Sequence, residues 1–279
     1  MKLKPSLDTW LCFYGLEAPP EAYARFDLVV FDSTWHPDLV RREDGGPVIL
    51  GYLSAAEVLE GGPFWPRAAG RDILVRKKPQ WNSWVLDLRD PAWRDFLVRE
   101  AVPGILEQGF DGILLDTLDS ALALELWTDP ARWRGTREAV IRLVEEIRRS
   151  RPDTLIAVNR ALPVLGEIAP SLDLLVLEGL SSVYGGPAAG YVTVAPEERR
   201  RLLEWLEAGL EKRPGLPVLT LDYAPEDRPD LVKNAVARAR RKGFVPYVST
   251  LELDRIYHHT LDGGCAPCRA SRPSGGGAG

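Results

Sequence analysis

Two acids stand at the ends of two apolar runs: Asp116 closes Gly112-Ile113-Leu114-Leu115, and Glu178 closes Leu174-Leu175-Val176-Leu177. A strand that ends in a carboxylate aims a charge out of a packed sheet, which is costly unless something uses or partners that charge. Asp32, Asn159 and Asp222 repeat the pattern at the ends of other runs. Glycosidic cleavage requires such a pair, because one carboxylate attacks or activates water while the other, held protonated, donates to the leaving oxygen. Asp116 and Glu178 are therefore the candidate catalytic residues. Asp119 reads either as part of the site or as the N-cap of a helix starting at Ser120. Asp32, Glu57, Asp87 and Asp222 would add an acidic lining, and Asn159 an amide able to read sugar hydroxyls.

Aromatic residues crowd the same segment ends: Tyr14, Trp35, Tyr52, Trp65, Trp81, Trp84, Tyr184 and Tyr223. Sugar rings present C–H faces that pack on aromatic faces, with burial driving the association. Each of these rings could equally be core. His36, His258 and His259 form neither a metal spacing nor a triad around a strained Ser, so the reading contains no metal and no cofactor.

The elements that would position these groups follow from the apolar pattern. Strand-like runs lie at Trp10 to Tyr14, Leu28 to Phe31, Val48 to Leu53, Trp84 to Leu86, Gly112 to Leu115, Leu155 to Val158, Leu174 to Leu177, Val218 to Leu221 and Phe244 to Val248. Helical stripes alternate with the later runs: Val140, Leu143, Val144 and Ile147, then Leu202, Leu203, Leu206 and Leu210, then Leu231, Val232, Ala235, Val236 and Ala239. Asp90 and Pro91 supply a cap and a first helical position, and Gly109 and Gly243 supply left-handed helix ends. Near-continuous apolar strands alternating with amphipathic helices predict an α/β protein, a (β/α)8 TIM barrel, with one extra short strand and a long loop from Ser54 to Ser83 after strand three. A doubly wound open sheet is the competing fold, but no Gly-x-Gly-x-x-Gly turn follows the first strand. The expected organisation is an N-terminal extension over 1–8, a single domain over 9–262 and a disordered tail over 263–279.

Net charge is −5. No Lys/Arg stretch interleaved with aromatics is present, which argues against a nucleic-acid surface, and no apolar run reaches membrane-spanning length. The expected partner is a polysaccharide or oligosaccharide met by a monomer. The first residues contain no signal-like apolar segment. Cys265 and Cys268 lack a second pair to complete a zinc site and read as a local disulfide or idle thiols.

Several motifs resemble one family. Tyr14-Gly15, Phe26 to Asp32, Gly51-Tyr52-Leu53-Ser54 with Glu57, Val85 to Arg94 and Gly109 to Asp119 together resemble glycoside hydrolase family 114, the endo-α-1,4-polygalactosaminidase-like TIM barrels. The resemblance implies internal cleavage of α-1,4-linked galactosamine polymers by a retaining mechanism. Asp116 would be nucleophile and Glu178 acid/base, with their carboxyl groups about 5–5.5 Å apart. A cationic polymer would suit an acidic cleft. Family members of this kind suggest an extracellular setting. Two alternatives stay open from the residues: a catalytically silent carbohydrate-binding barrel, and a glycosidase acting on a neutral α-galactoside.

Overall fold

The computed structural model describes residues 7–39 and 46–261. The expected tail over 263–279, with Cys265 and Cys268, and residues 1–6 of the expected extension lie outside the described residues.

Eight apolar runs form one sheet: β1 (Trp10–Phe13), β2 (Leu28–Asp32), β3 (Val48–Ser54), β4 (Gly112–Asp116), β5 (Leu155–Asn159), β6 (Leu174–Glu178), β7 (Val218–Tyr223) and β8 (Val245–Ser249). They lie side by side in sequence order, each parallel to its neighbours. Helices on the outside and side chains on the inside bury these strands on both faces, which is why they read as continuous apolar runs. The edges of the sheet curl together. The Trp10 indole on β1 donates to the Val245 carbonyl on β8 at 3.1 Å, and Tyr14 N–H donates to the Leu253 carbonyl at 2.7 Å. The architecture is a (β/α)8 TIM barrel.

The predicted helices occupy the crossovers, over Thr136–Ser150, Pro196–Leu210 and Pro229–Arg241, with Leu202 and Leu206 or Leu231, Ala235 and Ala239 turned to the sheet. The helix from Pro91 starts where Asp90 accepts from Trp93 N–H at 2.7 Å. Further along it, Pro103 has no N–H to give, and the chain just before it widens into a π-turn over Leu97–Ala101. Gly109 and Gly243 hold φ of +107° and +73°, as left-handed helix ends require.

The segment after β3 is ordered rather than a plain loop. Glu57–Leu59, Leu74–Lys78 and Ser83–Leu86 make an antiparallel sheet with Ser83–Leu86 in the middle, so the extra strand read from the sequence is the centre of a small subdomain. A hairpin of Ser182–Tyr184 and Tyr191–Thr193 follows β6. These short, partly exposed strands lack the long apolar pattern that reveals a core strand.

Gly112 begins β4 where its neighbour β5 leaves no room: a Cβ there would lie 2.2 Å from the Leu155 carbonyl oxygen. Gly104, in the helix Val102–Glu107, has open space around it. Gly112→Ala is therefore expected to destabilise the fold by about 3 kcal/mol, while Gly104→Ala gains about 0.5–1 kcal/mol from helix propensity. Thermal unfolding of both variants checks this; equal melting temperatures would refute the packing argument.

Candidate active site

Strand register decides which end residues share a face. Along the ladder, Tyr14, Asp32, Tyr52, Asp116, Asn159, Glu178 and Tyr223 fall on the inner face at the C-terminal end of the barrel. β5 lies between β4 and β6, so its last residue stands between the two acids. Asn159 Nδ2 donates to Asp116 Oδ1 at 2.9 Å and to Glu178 Oε2 at 2.7 Å. Carboxylate oxygens accept, so the amide nitrogen and not its oxygen must face them. Two bonds of 2.9 and 2.7 Å from one atom hold these oxygens no more than about 5.6 Å apart, within reach of a retaining pair and short of the about 6.5–9.5 Å of an inverting pair.

Each acid also has its own phenol. Tyr223 donates to Glu178 Oε1 at 2.8 Å, and Tyr52, whose ring lies 4.9 Å from that of Tyr14, stands beside Asp116 and favours its ionised form. Tyr14 in turn neighbours the thiol of Cys12, on the same inner face. Burial pushes all three phenols and the Cys12 thiol up, so they are neutral. Burial and then the Glu178 charge push the Asp116 carboxyl up to about 6, against the Thr117 N–H, Asn159 and Tyr52, which favour its ionised form.

The remaining sequence candidates separate into two groups. Asp32 stays at the mouth, with Oδ1 accepting from the N–H groups of Thr34 and Trp35. Asp119 is not a helix cap, because the helix starts at Leu118; its carboxylate accepts from Ala161 N–H and meets Arg160 at 3.3 Å, tying the β4 and β5 loops together. Tyr184 sits on the hairpin after β6, edge-on to Tyr191. Glu57 is buried and taken up by Lys78, Ser83 and Ser120, and Asp87 by Arg89, so both acids brace the insertion. Asp222 points the other way from Tyr223. Its Oδ1 accepts from Ser181 and Ser182 N–H at 2.6 and 3.0 Å, so this buried acid holds the chain leaving Glu178 and does not line the cleft as the sequence suggested.

Two features of the site give no sequence signal of their own. Thr117, directly after Asp116, adopts φ of +65°, and Arg160 and Ala161, directly after Asn159, adopt +55° and +50°. The Thr117 hydroxyl donates to the Asp116 carbonyl and accepts from Ala56 N–H at 2.9 Å, so the insertion clamps this turn.

The sequence model of Glycoside-hydrolase family GH114 matches residues 1–265. The chain belongs to that family. It is 27% identical over 244 residues to a protein of Deinococcus radiodurans, covering 83% of this chain and 75% of that one. Among solved structures, the glycoside hydrolase domain of PelA from Pseudomonas aeruginosa is 27% identical, with a TM-score of 0.76 over 89% of this chain and 96% of that one. Ega3 of Aspergillus fumigatus, solved in complex with galactosamine, shares the fold at 13% identity and a TM-score of 0.65, over 90% and 94% of the two chains.

In this GH114 glycosidase the raised Asp116 affinity has a consequence for stability. A carboxyl bound more tightly to its proton in the folded state than in the unfolded chain stabilises the fold at low pH, and that contribution is lost as pH rises through about 6. Asp116→Asn does not titrate. Its melting temperature relative to wild type is expected to climb between pH 4.5 and pH 7; a constant difference would refute the burial argument.

Proposed function

We propose that the protein cleaves α-1,4-linked galactosamine polymers internally, with retention of anomeric configuration. The observation that carries this reading is the single Asn159 amide bonded to both carboxylates, because the separation it permits suits direct attack by one acid and falls short of the about 6.5–9.5 Å at which an attacking water fits beside the sugar. In the first step an Asp116 oxygen attacks C1, the bond from C1 to the leaving oxygen breaks, and Glu178 gives that oxygen its proton. In the second, Glu178 takes a proton from water, the water oxygen bonds to C1, and the bond to Asp116 breaks.

We assign the proton of the reactive complex to Glu178 on two grounds. Three groups, Thr117 N–H, Asn159 and Tyr52, surround Asp116 and favour it ionised, and the family resemblance gives the same roles. The choice of galactosamine follows the polygalactosaminidase resemblance, and an acidic protein suits a cationic polymer.

Partially de-N-acetylated α-1,4-galactosamine oligomers, analysed by mass spectrometry, test the reading. Wild type is expected to release internal fragments, while Asp116→Asn and Glu178→Gln each lose at least about 10³-fold in rate. Full activity in either variant would overturn the catalytic assignment, and exclusive release of terminal monosaccharides would overturn internal cleavage.

A further inference from the structure

We infer that Trp127 and Trp205 form an accessory polysaccharide-binding platform on the flank of the barrel, separate from the catalytic cleft; its ligand is the polymer named above, so the inference rests on that reading. The two indoles come from different elements, Trp127 from the helical segment after β4 and Trp205 from the helix between β6 and β7. They lie parallel, 5° between planes and 6.1 Å between centroids, yet remain 60% and 45% exposed. Exposed tryptophans that protein packing does not require are costly to keep in water. They border a shallow groove of about 440 Å³ whose other walls include Leu126, Leu162 and Pro163. Asp116 and Glu178 are not part of it.

Size and shape select the occupant. An indole side chain offers on the order of 250 Å², so exposures of 60% and 45% leave about 260 Å² of indole open, far below the about 800 Å² per partner of a stable protein interface. A sugar chain needs less. In a galacto-configured pyranose O4 is axial, which gathers C–H groups at C3, C4 and C5 on one face, and that apolar face packs on an indole. Two parallel rings with centroids 6.1 Å apart present indole surface to neighbouring residues of such a chain. The amine at C2, when protonated, adds attraction to the ring electrons. The groove is also connected to the active end of the barrel. Leu162 and Pro163 follow directly on Arg160 and Ala161, which bind Asp119 beside the catalytic strand end. An internally cleaved polymer extends beyond the cleft on both sides, so a second contact on the same molecule raises its local concentration at the cleft.

The test uses Glu178→Gln to abolish turnover, with a partially N-acetylated α-1,4-galactosamine oligomer as the probe, and compares it by calorimetry with Glu178→Gln carrying Trp127→Ala and Trp205→Ala. The expected result is two binding events per chain in the first protein and one in the second. In the active background the tryptophan variant should raise KM for long polymer by at least about fivefold and leave kcat and the cleavage of short oligomers unchanged. Unchanged binding and unchanged KM would overturn the inference, as would a wild-type dimer that the tryptophan substitutions convert to monomers, since the groove would then be an interface between copies. The two readings fail separately. Cleavage without tryptophan-dependent binding sinks the platform alone, and tryptophan-dependent binding without cleavage sinks the proposed activity alone.

Discussion

Two carboxylates of like charge cannot sit close together in a partly buried site without donors between and around them, and most of the inner face of this barrel serves that requirement. Asn159 supplies the shared donor, Tyr223 supplies another to Glu178, and Tyr52 stands beside Asp116 on the other flank. Burial keeps those phenols neutral, so they add no further negative charge. The three strands that carry Asp116, Asn159 and Glu178 are adjacent and parallel, which fixes the amide midway between the acids. Strand order thus sets the separation of the two acids.

The turns that leave these strands are held by force. Thr117, Arg160 and Ala161 take left-handed backbone conformations that cost non-glycine residues on the order of 1–3 kcal/mol each, and such strain persists only where surrounding contacts over-determine it. Here the contacts are visible. The insertion grips Thr117 through Ala56 N–H, Asp119 grips Ala161 N–H, and behind the cleft Asp222 grips the backbone of Ser181 and Ser182. Asp119 and Asp222, read from the sequence as substrate contacts, are instead the fasteners of the loops beside the paired carboxylates.

Much of this was legible in the sequence. Eight long apolar runs, helical stripes between them and helix-ending glycines identified a TIM barrel, and the acids ending β4 and β6 were visible because a charge at a strand end is unusual. Register was not legible. Asp222 and Tyr223 are neighbours on β7, and only the pairing of Leu221 with Glu178 shows that Tyr223 faces inward and Asp222 outward. The same blindness hid the roles of Glu57 and Asp87, whose partners Lys78, Ser83 and Ser120, or Arg89, belong to a subdomain of short strands with little periodicity. Cys12 beneath the acids and the exposed pair Trp127 and Trp205 came together only through the fold.

The central claim is that an Asp116 oxygen bonds to the sugar. A 5-fluoro galactosaminyl fluoride of the reactive anomer slows the second step more than the first, so it should leave a covalent adduct that peptide mapping places on Asp116. An adduct on Glu178 would reverse the assigned roles. Turnover with no adduct, releasing product of inverted configuration, would contradict the account.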